Sequence, residues 1–445
     1  MRTQQEDSDS ICQRRFRLLG FIAEGQAGRL AVASLAQRSA DPVLASDSPS
    51  VASSSSMADC ERSKDAKQEM SPEQVAVDLA RGVESKASLN PRIHPMNLSN
   101  NNDKHEEKHI PKVSSSPPPL PVVSRQSQDD AIVDSLLGSV SRERSATLLK
   151  SYGRDLVLPL EIDEARKLDN ASEGHFALKI VDCGASGSAR AAELESEVAV
   201  MREIARDPFP FLVDFYFATT SESRVYIAME LCQGGDLFSL IRQEQVLRPK
   251  DILFFAVEMA LALQHLHDRR ILHGDLKPEN VALSASGHIR LVDFGLSVLF
   301  DAREHLDAET GRLETVSHSG TLAYCAPEVL ARFPHSFESD WWSYGVVLYE
   351  MLFGTLPFSG ADDEATCALI CTSSLEPPSK ALGGVEPRCY GLISELLTKS
   401  PRRRIGYADG LDGIRRHAMF ASVNWDHARN LRYRPPFCLA ETSGV

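Results

Sequence analysis

His273-Gly274-Asp275-Leu276-Lys277-Pro278-Glu279-Asn280, followed by Asp293-Phe294-Gly295, sets an acidic proton acceptor, a cation and two oxygen donors at a spacing that suits phosphoryl transfer. That chemistry needs little covalent help from protein. It needs an aligned hydroxyl, neutralised phosphate charge and Mg²⁺ held against the triphosphate. On this reading Asp275 is the expected base, Lys277 faces the transferring phosphate, and Asn280 and Asp293 hold the metal. The HxDxKxxN run alone carries little weight. With Asp-Phe-Gly after it and Ala326-Pro327-Glu328 beyond, the order of motifs is hard to reach by chance.

Composition narrows the class. A chain of 445 residues has room for roughly three average domains, or for one two-lobed enzyme with a long tail. Hydrophobic content of 42% is ordinary for a globular core. A formal charge of −14 argues against a general nucleic-acid binder, whose phosphate contacts need clustered Lys and Arg. The nine cysteines are scattered without a CxxC pair, which favours reduced thiols in a cytoplasmic or nuclear setting. No apolar run approaches the ~20 residues that span a bilayer. Glu6, Asp7 and Asp9 precede any apolar stretch, which argues against a secretory signal.

Residues 1–145 read as mostly disordered, low-complexity sequence. From Arg38 to Asp130 the chain is rich in Ser, Pro, Asn and charge, so it buries too little apolar surface to offset its ordering entropy. Pro118 and Pro121 suit a plain linker better than a polyproline ligand. Order is expected to resume near Leu148, with a folded domain over residues 150–420 and a short extension over 421–445. Phe176 to Val181 suits a buried strand, Leu194, Val198, Met201 and Ala205 share a helix face, and Phe211–Phe217 and Arg224–Leu231 read as strands. Ile252–His267 and Trp341–Phe353 read as buried helices. Strands first and helices afterwards predict an α+β, bilobal fold with a small β-rich N-lobe and a larger α-helical C-lobe.

Taken together, these motifs resemble the eukaryotic protein kinase superfamily. Asp340-Trp341-Trp342, the run Ile414 to Phe420 with Asn424-Trp425, Arg434-Pro435-Pro436-Phe437, and Phe209-Pro210-Phe211-Leu212-Val213 resemble its AGC group over about residues 155–437. The resemblance implies ATP and Mg²⁺ as cofactors and proteins as substrates. It places Lys179 on the α- and β-phosphates, with Glu197, among Glu193, Glu195 and Glu197, as its ion-pair partner. Met229 would lie behind the adenine, and the main chain near Glu230 and Cys232 would bond the adenine edge. A plain core strand is the alternative there. Thr321 and Lys277 match serine/threonine kinases rather than tyrosine kinases, and Glu328 with Arg404 matches a buried pair under the activation segment. Asp236, counted also among the nucleotide contacts, matches with Glu279 and Glu350 the acids that receive arginines upstream of the phosphorylated residue.

Three departures stand out. Aligning back from Ala165-Arg166-Lys167 puts Asp155, Val157 and Leu160 where three phosphate-covering glycines belong. Residues 16–34, with Gly25 and Gly28 and with Ala23 in a glycine's place, read either as a displaced glycine-rich loop or as a targeting segment. Gly274 replaces the arginine that regulated kinases use to gather an activation-segment phosphate, and Val298 replaces a basic residue that often assists. Little dependence on phosphorylation at Ser317 is therefore expected. Downstream of Phe437 the sequence carries no Phe-x-x-Phe motif of the kind that steadies the Glu197 helix in many relatives. The missing glycines also keep a rival open, a kinase-shaped scaffold that binds partners without transferring phosphate. Intact Lys179, Asp275, Asn280 and Asp293 oppose it.

Overall fold

A computed structural model of the chain describes residues 11–25, 28–35, 132–134, 136, 140–152, 154–161, 164, 175–183, 189–221, 223–317, 320–376 and 387–438. The Ser/Pro-rich stretch from residue 38 to 130 lies outside them, as do Ala165-Arg166-Lys167. Six strands form one sheet: β1 (Ile11–Gly25), β2 (Gly28–Leu35), β3 (Asp155–Glu161), β4 (His175–Asp182), β5 (Phe215–Ser221) and β6 (Arg224–Met229). Their order is β3-β1-β2-β4-β6-β5, with every neighbouring pair antiparallel. Helices α1 (Arg142–Tyr152) and α2 (Ala189–Ala205) accompany the sheet. The larger, helical lobe contains α3 (Leu237–Glu244), α4 (Pro249–Asp268), α5 (Ala302–His305), α6 (Pro327–Leu330), α7 (Glu338–Phe353) and α8 (Asp363–Thr372). Its short strands β7 (Ile271–Leu272), β8 (Val281–Leu283), β9 (Ile289–Leu291) and β10 (Val298–Leu299) pair β7 with β10 and β8 with β9.

Two interior strands, β1 and β2, come from far upstream of residue 150, where the sequence placed the start of the folded domain. Within residues 16–34, β1 and β2 pair antiparallel: Gly25 pairs with Gly28, and Leu30 of β2 sits opposite Lys179 of β4. Asp155, Val157 and Leu160 occupy β3 instead of a loop, opposite Arg17, Arg15 and Cys12 of β1. Side-chain alternation accounts for this. Val157 points outward at 52% exposure, while Leu158 and Leu160 are buried.

The sheet curls until its outer strands meet. Thr219 Oγ1 on β5 donates to the Pro159 carbonyl on β3 at 2.7 Å, which protects both strand edges. Inside the curl, Phe16 lies 5.5 Å from Phe217 and 5.7 Å from Phe176, ring centre to ring centre. Leu148 and Leu149 of α1 complete this core. β1 slips register between Leu18 and Gly20 and between Phe21 and Ala23. Such bulges free a backbone donor, and the buried Ser145 Oγ of α1 accepts the Phe21 N–H at 2.8 Å. Gly20 lets the helical stretch 132–134 approach β1, since a Cβ there would collide with Val133.

In the helical lobe α4 and α7 contain the helices expected at Ile252–His267 and Trp341–Phe353, and Trp341, Trp342 and Tyr344 are fully buried. The strand expected from Phe211 begins only at Phe215. Pro208 and Pro210 remove backbone donors, so Phe211, Leu212 and Val213 are buried in a turn, with Val213 N–H reaching the Leu291 carbonyl at 3.1 Å. Arg404 grips Glu328 of α6 through two bonds of 2.6 and 3.0 Å, and both side chains are buried. Arg404→Ala strands that carboxylate and is expected to lower unfolding free energy by roughly 3–5 kcal/mol. Urea denaturation measures it, and a loss within about 1 kcal/mol, the range of an exposed pair, would contradict the buried-pair account.

Candidate active site

The loop between β7 and β8 is set by one buried acid at the start of α7. Asp340 Oδ2 accepts the His273 N–H at 2.9 Å and faces His267 Nε2 at 2.8 Å, and its Oδ1 accepts the Gly274 N–H at 2.9 Å. Burial opposes the Asp340 charge, yet the His267 bond and neighbouring groups hold its carboxyl below the usual carboxylate range. Gly274 adopts φ +76°, and a Cβ there would lie 2.7 Å from the Leu296 carbonyl oxygen. A side chain at this position is therefore strained, which gives a backbone reason for glycine.

Asp275, next in the loop, is buried and fully engaged. Its Oδ1 accepts the Thr321 N–H at 2.7 Å. Its Oδ2 accepts from Lys277 Nζ at 2.6 Å and from Asn280 Nδ2 at 3.2 Å. Lys277 Nζ also donates to Thr321 Oγ1 at 2.7 Å, so the activation segment closes onto the loop through Thr321. The β8–β9 hairpin then brings Asn280 and Asp293 to one end. Val281 pairs with Leu291, and Val292 N–H bonds the Asn280 carbonyl at 3.0 Å. With Asn280 Nδ2 spent on Asp275, the amide oxygen is left for a cation, and hard oxygen donors of this kind suit Mg²⁺.

From the sheet, Lys179 reaches this end. Its ammonium lies 2.5 Å from Glu197 Oε1 on α2 and 3.0 Å from Asp293 Oδ1. Of the three candidate acids Glu193, Glu195 and Glu197, Glu197 is thus the one that meets the lysine. Burial works against the lysine charge, but Asp293 and Glu197 outweigh it and hold the ammonium above its ordinary value. The reverse holds for Asp293: burial pushes its carboxyl up, Lys179 pulls it further down, and it stays ionised. Asp293 also sits at φ +61°, a strained conformation for a residue with a side chain.

The remaining positions line the approach. Met229, at the end of β6, is buried beside Ala177 and Phe215. Glu230 spends its N–H on the Asp214 carbonyl at 2.8 Å and its carboxylate on Arg290 Nε at 2.7 Å. Among the described residues the main chain of Cys232 makes no hydrogen bond, and burial pushes its thiol up. Asp236 caps α3, its Oδ1 accepting the Ser239 N–H at 2.7 Å. Glu279 is exposed nearby, whereas Glu350 is buried and takes the Tyr324 hydroxyl at 2.6 Å. Burial raises the Glu350 carboxyl, and the charge of Glu279 raises it further, so the two acids repel. The anchoring role of Asp340 was not anticipated. The acid directly ahead of two tryptophans was the available signal.

A family model described as "Protein kinase domain" matches residues 165–414, beginning after β1 and β2. Ribosomal protein S6 kinase alpha-3 of Homo sapiens is 38% identical over 229 residues, 51% of this chain and 29% of the relative. Ribosomal protein S6 kinase alpha-1 of Homo sapiens is 35% identical over 279 residues, 61% of this chain and 35% of the relative. Ribosomal protein S6 kinase alpha-6 of Mus musculus is 39% identical over 228 residues, 51% and 28% respectively. The chain thus spans about a third of the length of these curated relatives. Among the described residues no helix is long and apolar enough to cross a membrane.

Proposed function

This chain belongs to the protein kinase family, with AGC-like relatives, and on that premise we propose that it transfers the γ-phosphate of ATP to Ser and Thr hydroxyls of proteins. The observation that carries the reading is the joint assembly of two groups: Lys179 on Glu197 and Asp293, and Asp275 on Lys277, Thr321 and Asn280. In the proposed mechanism Asp275 orients the acceptor hydroxyl and takes its proton, while Lys277 offsets charge on the moving phosphoryl group. Lys179, fixed by Glu197, orients the α- and β-phosphates. Asn280 and Asp293 would hold Mg²⁺, which neutralises phosphate charge when bound. The Glu230 carbonyl and the Cys232 N–H would meet the adenine edge over Met229, with Asp236 towards the ribose.

The hairpin between β1 and β2 is the proposed phosphate cover. Gly28 supports this assignment: it adopts φ +129°, and a Cβ there would lie 2.8 Å from the Ile180 carbonyl oxygen. The scattered free cysteines support a reducing, cytoplasmic or nuclear setting.

Transfer of radiolabelled phosphate to a basic Ser peptide, wild type against Asp275→Asn, tests the activity. Substrates with Arg or Lys upstream of the acceptor fit the repelling pair Glu279 and Glu350, which a cation would relieve. A peptide array should select those residues. Glu279→Gln is expected to raise the KM of the basic peptide about tenfold, the worth of one charge-assisted bond. An array with no basic preference would remove this specificity.

A further inference from the structure

Activation segments of kinases are commonly ordered by a phosphate on the segment gripped by arginines on the body of the domain. In this chain the charges run the other way. Arg312, on the segment between α5 and α6, sends Nη2 to Glu338 Oε2 at 2.7 Å and Nη1 to the Tyr407 carbonyl at 3.4 Å. Its guanidinium also lies over the Tyr407 ring, 4.0 Å from the centroid. Glu338 is buried at the start of α7. Its other carboxylate oxygen accepts the Ser336 N–H at 3.1 Å, and its carbonyl accepts from Arg404 at 2.8 Å. The acid on the body is therefore rooted in the same network as the buried pair Glu328–Arg404. Beside Arg312, Thr315 and His335 exchange both backbone hydrogen bonds at 2.9 Å, and Glu314 N–H reaches the His305 carbonyl at 2.8 Å.

We propose that Arg312 is a positioning residue that latches the activation segment to Glu338 and Tyr407 in place of a phosphate. The peptide-binding surface is then set without phosphorylation of Thr315 or Ser317. The inference deepens the kinase reading and rests on it. The fork of the guanidinium meets a carboxylate and a carbonyl at once while its flat face covers an aromatic ring, a combination lysine does not reproduce. Without Arg312 the carboxylate of Glu338 is left buried beside the segment. The slack then runs along the chain to Thr321, whose N–H and hydroxyl hold Asp275 and Lys277.

The test uses the full chain, treated with phosphatase, in steady-state kinetics with Mg·ATP and a basic Ser peptide. Wild type should keep its rate within about twofold after the treatment. Arg312→Ala should lose about tenfold in kcat/KM for the peptide, equivalent to one 1.4 kcal/mol interaction, while the KM for ATP stays within about twofold. Arg312→Lys should recover part of that loss, and amide exchange over residues 302–317 should quicken in Arg312→Ala. Should Arg312→Ala fail to fold, Glu338→Gln is expected to give the same split between peptide and ATP. An unchanged peptide kcat/KM, an equal loss for peptide and ATP with a lowered Tm, or a wild type silenced by phosphatase would overturn the latch. Failure of the kinase reading itself looks different: wild type would transfer no more than Asp275→Asn. Amide exchange then still decides, faster exchange in Arg312→Ala supporting the latch and unchanged exchange overturning it.

Discussion

Asp275→Asn is expected to lower kcat about 10²–10⁴-fold, the usual cost of losing a positioned general base, with nucleotide binding left in place. The local geometry sharpens this. Asp275 Oδ2 takes two donors, Lys277 Nζ and Asn280 Nδ2, and Oδ1 takes a third, the Thr321 N–H. An asparagine must turn its NH₂ towards one of these sets, so it removes the base and opposes a donor to a donor. Its effect should therefore sit towards the upper end of the range. The lesion stays local, because the anchor of the loop is Asp340 acting on His273 and Gly274. Affinity for Mg·ATP and the midpoint of thermal unfolding should move little. Equal transfer by both proteins, at background level, would sink the catalytic assignment and leave a nucleotide-binding scaffold.

What was legible in the sequence was what is contiguous along it. Asp275, Lys277 and Asn280 lie within one loop, and Asp293 follows across a short hairpin, so motif spacing and spatial geometry nearly coincide. Lys179 and Glu197 also lie close in the chain, and the acid that the resemblance named is the one whose carboxylate meets the lysine. The strands carrying Gly25 and Gly28 were ambiguous for the opposite reason. β2 and β4 are neighbours in the sheet but are separated in the chain by residues 36–174, and a linear reading has nothing to connect them. The family match, which begins at residue 165, has the same blind spot. Arg312 was invisible because its meaning depends on Glu338 and Tyr407, partners that only the folded helical lobe brings together.

Deleting residues 1–35 is expected to abolish nucleotide binding by removing two interior strands of the sheet. Phe16, Leu18, Leu19, Phe21, Ile22 and Val32 are all buried there. At about 1.5–3 kcal/mol each, their combined contribution rivals the roughly 5–15 kcal/mol that holds a whole domain. Leu30, opposite Lys179, leaves with them, and β3 and β4 are exposed as unpaired edges. Saturating Mg·ATP should raise the Tm of the full chain, since ligand at a hundred times its Kd contributes about 2.7 kcal/mol. The truncated chain should show no such rise. Because truncation removes core and cover together, Gly28→Val on the full chain separates them. Its Cβ meets the Ile180 carbonyl at φ +129°, distorting the hairpin while Phe16, Leu18 and Phe21 stay packed. That variant should keep cooperative unfolding yet bind Mg·ATP about tenfold more weakly, one decade being 1.4 kcal/mol. A truncated chain that still binds Mg·ATP like the full chain would mean that these strands are dispensable and that the phosphates are covered by some other part of the molecule.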